Sequence, residues 1–169
     1  MNIEGVEKKL REAQFFLNKM IEHERMAFRE KERFDFYLSA FLNAGRTVDY
    51  RLRYEQAATY PTWRTGWDAK LTQLQQDLMK FMIDDRNDEV HEGGSSRTVT
   101  TENREFGAGT HKLADGTMDV TGAPEFARVT MHVPGYYFTI DGVERKATEV
   151  CGEYLALLQH MVAAFKAWP

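Results

Sequence analysis

Four stretches of the chain place apolar residues at intervals of three and four positions, the spacing of one face of an amphipathic α-helix. They predict helices over about residues 2–30, 33–56, 65–91 and 145–168. Lys, Glu, Gln and Arg fill the opposite faces, so each helix needs partners to cover its apolar stripe. The stripes contain Ile3, Val6, Leu10, Ala13, Leu17, Met20 and Ala27; Phe34, Leu38, Phe41, Gly45, Val48 and Leu52; Trp67, Leu71, Leu74, Leu78 and Phe81; and Ala147, Cys151, Tyr154, Leu158, Met161 and Phe165. The pattern predicts one domain, residues 1–169, built as an up-and-down bundle of four helices.

The segment of about residues 95–143, before the last predicted helix, is richer in glycine, β-branched and aromatic residues. Residues 128–133 and 136–140 have strand-like composition and flank Pro134-Gly135, which predicts a hairpin. Two Asp-Gly pairs are further turn signals, Asp115-Gly116 and Asp141-Gly142. The sequence therefore predicts a mainly α fold with a small antiparallel β-hairpin insertion before the last helix.

A linker over residues 59–63 is expected to separate the second helix from the third. It contains Pro61, which disfavours helical geometry at Tyr60. Thr65 is then the expected N-cap of the third helix.

Composition narrows the class of protein without indicating a reaction. The formal net charge is −4 and the pI is near 5.8. This argues against broad nucleic-acid binding, which normally needs a basic surface, but it permits contact with a few phosphates in one cleft. We expect neither a transmembrane helix nor a secretory signal, because no apolar run is long enough and the N-terminus is mixed and acidic. With a single cysteine, Cys151, the chain is expected to be cytoplasmic and to have no membrane partner.

One short cluster suggests a reaction. The sequence Arg86-Asn87-Asp88-Glu89-Val90-His91 combines an arginine, a polar neighbour and a histidine at the end of the third predicted helix. A second Arg/His match, Arg104 and His111, lies among glycines in the insertion, where no rigid element would hold a catalytic pair. The helical context therefore favours residues 86–91.

Through residues 86–91, the chain resembles the HEPN superfamily. Its members are compact all-α bundles, which are commonly dimeric and carry an Arg-(polar)-x-x-x-His motif. Residues 86–91 match that motif, and residues 36–46 look like the second helix of bacterial members. The resemblance covers residues 1–92 and 144–168 and leaves the β-insertion unexplained. It predicts a HEPN-like bundle.

The resemblance implies a metal-independent endoribonuclease of toxin or phage-defence type that needs no cofactor. His91 would act as general base or acid on the ribose 2′-OH. Arg86 would stabilise charge on the five-coordinate phosphorus, and Asn87 would orient the phosphate or the histidine. The products would be a 2′,3′-cyclic phosphate and a 5′-OH. Because one histidine cannot easily serve both oxygens, we expect a homodimer with two such sets across one cleft, with RNA as substrate and an antitoxin or other protein as a further partner.

Two features of the sequence oppose catalysis. Five carboxylate residues and one arginine give residues 84–92 a formal charge of −4, which repels a phosphodiester. In addition, Arg86 and His91 lie about 140° apart on an ideal helix. They converge only where the helix distorts or ends, or where they pair between subunits. The alternative is a non-catalytic, HEPN-like dimeric module for binding or regulation.

Two other constellations accompany this motif. One is a group of four arginines, Arg46, Arg51, Arg53 and Arg64, which is either an RNA-guiding flank or a solvated face with intrahelical ion pairs. The other is Asp84, Asp88 and His91 on one helical face, which gives a weaker alternative, a carboxylate/His metal-binding bundle. Di-iron bundles use Glu-x-x-His from two helices, which this chain does not provide.

The remaining histidines, the cysteine and the aromatic run are not expected to take part in a reaction. His23, between two glutamates, is expected to be a solvated helix residue, and His132 and His160 to be structural. Cys151 is predicted to be a small core residue. The aromatic run of residues 136–138 could stack bases, but packing on the bundle is favoured.

Overall fold

The computed structural model describes the backbone of residues 3–91, 96–107, 111–112, 118–119 and 128–168, and the side chains of residues 3–87, 96–105 and 130–168. Within these ranges the chain forms five helices and five strands. In order they are α1 (Glu4–Arg25), α2 (Lys31–Glu55), α3 (Tyr60–Asp68), α4 (Gln73–His91), β1 (Thr98–Gly107), β2 (His111–Lys112), β3 (Met118–Asp119), β4 (Arg128–Ile140), β5 (Val143–Lys146) and α5 (Ala147–Lys166). The predicted mainly α fold with a small antiparallel sheet before the last helix is confirmed. None of the helices in the described ranges has the length and apolar character needed to cross a lipid bilayer.

The central helix of the bundle is α2. It packs most extensively against α1 and also contacts α3, α4 and α5. Its predicted stripe is buried from Phe34 to Leu52, and the stripe of α5, including Cys151, is buried with it, so both predictions are confirmed. The two helices approach closely at Gly45, where an added Cβ would lie 2.8 Å from Cε1 of Tyr154. Each large side chain buried in this core stabilises the fold by about 1.5–3 kcal/mol.

The third predicted helix, residues 65–91, is divided into α3 and α4. The proline expected to precede it lies inside α3, because Pro61 occupies the first turn, where a missing N–H needs no partner. Thr65 is not an N-cap, since its hydroxyl donates to the carbonyl of Pro61 at 3.1 Å. The predicted linker at residues 59–63 is therefore wrong.

The actual break follows α3 and ends at a capping box. The N–H of Thr72 donates to Oε1 of Gln75 at 3.0 Å, and the N–H of Gln75 donates to Oγ1 of Thr72 at 3.3 Å. Because a new helix begins here, the buried face of α4 does not follow the apolar stripe that the sequence predicts across the break. Leu74 is 80% exposed instead of buried, whereas Met79 and Met82 face the core.

The main sheet has the strand order β1-β4-β5, and all its pairs are antiparallel. The hairpin predicted at Pro134-Gly135 is wrong, because β4 runs through both residues. Pro134 pairs with Thr101, and its carbonyl accepts a hydrogen bond from Nη1 of Arg29 at 2.6 Å, on the side away from β1. The N and O of one residue in an antiparallel strand face the same neighbour, so the missing N–H costs no bond to β1.

The turn between β4 and β5 is Asp141-Gly142, as one of the two Asp-Gly signals predicted. Asp141 has φ 51° and Gly142 has φ 77°, the pattern of a type I′ turn in a two-residue hairpin. The other signal, Asp115-Gly116, lies outside the described residues.

Aromatic packing attaches the sheet to the helices. The ring of Tyr136 stacks on Phe34 of α2 with centroids 3.7 Å apart, and Phe138 packs edge-on against Phe81 of α4 at 5.2 Å. Both strand residues are fully buried. The predicted packing of an aromatic strand on the bundle is therefore confirmed for these two positions.

His23 is not the solvated residue that its two glutamate neighbours suggested. It is 1% exposed and lies with its ring centroid 6.1 Å from those of Phe34 and Tyr136. Burial lowers its pKa, and the nearby Arg29 and Arg33 act in the same direction. The neutral imidazole is therefore part of the junction between α1, α2 and β4.

Acidification should weaken the fold through His23. The unfolded chain binds a proton near pH 6.5, whereas the folded chain resists it until a lower pH, so stability is lost as pH falls below about 6.5. We expect His23→Leu to lose less free energy of unfolding than the wild type between pH 7.5 and pH 5, measured by urea denaturation. The exposed His160 is the control, and His160→Gln should retain the wild-type profile. Identical profiles for His23→Leu and the wild type would contradict this role.

Two glycines should respond in opposite directions to alanine. Gly142→Ala forces a side chain into the left-handed region and should lower the free energy of unfolding by about 1 kcal/mol. Gly152 lies inside α5 with open space around it, so Gly152→Ala should raise that energy by about 0.5–1 kcal/mol. Chemical denaturation measures both, and equal effects would contradict the turn assignment.

Candidate functional site

The bundle positions α4 through one buried face. Met79, Met82 and Asp85 follow one another at intervals of three residues, and all three are buried. Asp85 is 2% exposed, and its Oδ1 accepts hydrogen bonds of 2.6 Å from the backbone N–H and the hydroxyl of Ser96. This contact ties the start of the insertion to α4. One of the carboxylates expected to repel RNA therefore points inward, while the neighbouring Asp84 is exposed.

Arg86 and Asn87 of the predicted site lie together on α4, and a third residue joins them from α2. Nε of Arg86 donates to Oδ1 of Asn43 at 3.2 Å, and its Nη1 lies 3.5 Å from Oδ1 of Asn87. Nδ2 of Asn43 in turn donates to the carbonyl of Ser39 at 3.0 Å, which fixes the direction of the amide. Two amide oxygens from two helices thus hold the guanidinium.

The apolar periodicity and the motif do not single out Asn43, although the sequence around it carries a signal. It is a polar amide in a helix whose neighbouring residues, Leu42 and Ala44, are buried. A side chain of that kind commonly hydrogen-bonds to another element.

Arg86 differs from most of the described arginines because it forms no ion pair with a described carboxylate. Arg33, Arg46, Arg51, Arg64, Arg97, Arg104 and Arg145 each form an ion pair with a carboxylate. The ion pairs between described residues do not include Arg86, and its two side-chain partners are neutral. Its half-buried positive charge is therefore held in place without a contacting counter-charge from that part of the chain, an arrangement suited to an anion.

The side chain of His91 lies outside the described residues, as does that of Asp88. The backbone of α4 extends to His91. The described side chains therefore give no distance from Arg86 to the imidazole of His91. The pairing of Arg86 with His91 stays a prediction. Among the described side chains, no group of three or more His, Cys, Asp or Glu residues is arranged to hold a metal. The metal alternative at Asp84, Asp88 and His91 also stays a prediction.

The four arginines of the predicted RNA flank do not share one surface. Arg46, Arg53 and Arg64 line a cavity of about 350 Å³ between α2 and α3. Arg51 lies elsewhere, in a depression beside the start of α1, where it pairs with Glu55 at 3.3 Å.

Asp49 organises the cavity between α2 and α3. Its Oδ1 accepts hydrogen bonds from Nη1 of Arg64 and from the hydroxyl of Tyr60, both at 2.5 Å, and its Oδ2 lies 3.3 Å from Nη1 of Arg46. Burial and then Asp49 raise the pKa of Tyr60, so the phenol stays protonated. Burial alone would lower the pKa of Arg64, but Asp49 and Asp68 raise it overall, so this guanidinium stays charged.

A larger cavity of about 580 Å³ lies between α4, the β4–β5 turn and α5. Its walls include Leu78, Ile140 and Leu157, and an ion pair of 2.5 Å joins Arg145 and Glu153 at its edge. Its described lining contains none of the predicted catalytic residues.

The fold and these contacts define a mainly helical bundle with a small antiparallel sheet before the last helix and an amide-held arginine between α2 and α4. Comparisons with protein-family models, curated proteins and solved structures give no match.

The contact between Asn43 and Arg86 should be measurable as a coupling energy. In a double-mutant cycle of Asn43→Ala and Arg86→Ala, we expect a coupling of about 1 kcal/mol in the free energy of unfolding, since one hydrogen bond to a charged donor is lost. Asn43→Ala combined with Arg53→Ala is the matched control and should be additive within about 0.5 kcal/mol. Equal coupling in both cycles would contradict the contact.

Proposed function

We propose that this chain is a HEPN-like, metal-independent endoribonuclease that acts as a homodimer, with Arg86, Asn87 and His91 as its catalytic residues. The observation that carries the proposal is the setting of Arg86, which is held by amide oxygens instead of carboxylates. In this proposal the protein acts on RNA in the cytoplasm, in a toxin or defence system with an antitoxin or other protein partner.

The contacts of Arg86 suit phosphate recognition. Its Nε is occupied by Asn43, and no carboxylate of the described side chains forms an ion pair with it, so in this proposal its charge meets the phosphate. A planar guanidinium can donate to two phosphate oxygens, and partial burial strengthens that interaction relative to a fully solvated lysine. Because its partners are already in place, little reorganisation is needed when charge develops on the phosphorus.

The proposed reaction is a transesterification that consumes no water. His91 removes the proton from the ribose 2′-OH, the 2′-oxygen forms a bond to phosphorus, and the bond to the 5′-oxygen breaks. That leaving oxygen receives a proton from a second imidazole, and the products are a 2′,3′-cyclic phosphate and a 5′-OH. Arg86 stabilises the five-coordinate phosphorus, and Asn87 orients the phosphate or the histidine.

The second imidazole is the reason for including a dimer. Residues 86 and 91 are about 140° apart on an ideal helix, so one subunit does not readily direct both side chains at one phosphate. A two-fold arrangement supplies two arginines and two histidines to a single cleft. The inward position of Asp85 supports this proposal, because it removes one carboxylate from the path of the RNA.

The test is cleavage of structured RNA in excess chelator, followed by analysis of the product ends. His91→Ala should reduce the rate by about a hundredfold or more, because it removes the general acid–base group. Arg86→Lys should also reduce it, because the charge remains but the planar fork is lost. His160→Ala is the matched control and should cleave at the wild-type rate.

Three outcomes would overturn the proposal. Equal cleavage by wild type and His91→Ala would show that the histidine is not catalytic. Absence of cleavage across a broad RNA panel would favour the non-catalytic dimeric module. Activity that disappears in chelator would favour the carboxylate/His metal alternative.

A further inference from the structure

Two tyrosines in the second half of α2 are largely exposed. Tyr50 is 62% exposed and Tyr54 is 77% exposed. They are four residues apart, so their side chains are neighbours on one face of the helix. Asn43, the partner of Arg86, lies seven residues before Tyr50 and within about 20° of it on an ideal helix. One face of α2 therefore extends for about 16 Å from the arginine site to Tyr54.

The cavity between α2 and α3 lies beside this face. Tyr50 lines it together with Arg46, Arg53 and Arg64. The carboxylate of Asp49 is occupied by Arg46, Tyr60 and Arg64, so it anchors two of the cavity's guanidinium groups. The arrangement provides a concave surface, lined by three arginines together with Asp49 and Asp68, next to an exposed aromatic ring.

Arg53 is the cationic group of this surface with the greatest freedom to meet a ligand. It is exposed on the outer side of α2, between the two tyrosines in sequence. It takes part in none of the ion pairs formed within the described part of the chain. Its neighbours Arg51 and Arg64, by contrast, contact carboxylates.

We propose that Tyr50, Tyr54 and Arg53 form a path for single-stranded RNA that leads along α2 to Arg86. Bases stack on the two tyrosine rings, and Arg53, with Arg46 from the cavity, contacts the phosphates. This inference rests on the proposed function, because it assigns the substrate's route to that site. Aromatic rings interleaved with arginines bind single strands without sequence preference, since every base has a π-face.

The chemistry of the surface favours RNA over a second copy of the chain. In a two-fold interface the same patch meets itself, so the two copies of Arg53, which forms no ion pair within the described residues, would lie close together. A polyanion instead complements the charge of Arg53, since Arg46 and Arg64 are already paired with Asp49 and Asp68. A duplex is disfavoured because its bases are already stacked and paired, whereas a single strand can offer them to the tyrosines.

The test measures binding separately from cleavage. The probe is a fluorescent single-stranded oligonucleotide with 2′-O-methyl groups, which cannot undergo attack by the 2′-oxygen, and affinity is followed by anisotropy with the wild-type chain. Replacing both tyrosines by leucine should weaken binding by about tenfold or more, because stacking is lost while apolar surface is kept. Replacing both by phenylalanine should leave affinity within about twofold, since the rings remain.

The salt dependence of binding tests Arg53. Loss of one phosphate contact to a single strand should reduce the slope of log affinity against log salt by about 0.7, so Arg53→Gln should show that change and Arg53→Lys should not. Arg25→Gln, at an exposed position at the end of α1, is the matched control and should keep the wild-type slope.

The outcomes separate this inference from the proposed function. Unchanged affinity of the leucine variant, or absence of binding by the wild type, would overturn the path even if the wild type cleaves RNA elsewhere. A shift in oligomeric state of the leucine variant, seen by analytical ultracentrifugation, would show a protein interface and overturn it too. Tyrosine-dependent binding without any cleavage of unmodified RNA would support the path and overturn the nuclease.

Discussion

Burial of one face of α2 is the constraint on which the rest of the structure depends. This face contacts α1 and α5, and Phe34 at its start carries the stacked ring of Tyr136. A side chain of that size contributes about 1.5–3 kcal/mol when buried, which is large beside the total stability of a domain. Once this face is fixed, the rotation of the helix is fixed. Two of its polar side chains, Asn43 and Asp49, then lie at the edges of the core, where they meet α4 and α3.

Those two side chains hold arginines in different ways. Asp49 is a carboxylate, and it offsets the charge of Arg46 and Arg64 while fixing their positions. Asn43 is neutral, and it positions Arg86 without offsetting its charge. The pair of Asp49 and Arg64 is mostly buried, where the cost of desolvation offsets much of the attraction, so the role of Asp49 lies mainly in placing the guanidinium groups. One helix thus supports an anchored arginine cluster and an arginine whose partners among the described side chains are neutral.

Much of the fold could be predicted from the sequence because it rests on periodicity. The stripes of α2 and α5 repeat without interruption, and burial decides such positions. The division of α3 from α4 could not be predicted from periodicity, since the apolar residues continue across the break at nearly helical spacing. The local chemistry did carry the signal, because Thr72 and Gln75 have the spacing of a capping box. The hairpin predicted at Pro134 was wrong for a related reason. Proline ends a strand only where its missing N–H would face a neighbouring strand.

The candidate site could be predicted only in part, because its geometry depends on contacts between distant segments. The motif located Arg86 and Asn87 correctly on one helix, but 43 residues separate Arg86 from Asn43. No pattern within α4 reveals that partner.

The same limit applies to predicting the charge around the site. The sequence counts Asp85 among the acidic neighbours, yet the fold turns it inward to bind Ser96, so formal charge along the chain overstates the repulsion that a ligand meets. Electrostatic arguments from sequence therefore need the burial of each charged group before they can decide whether a phosphate is excluded.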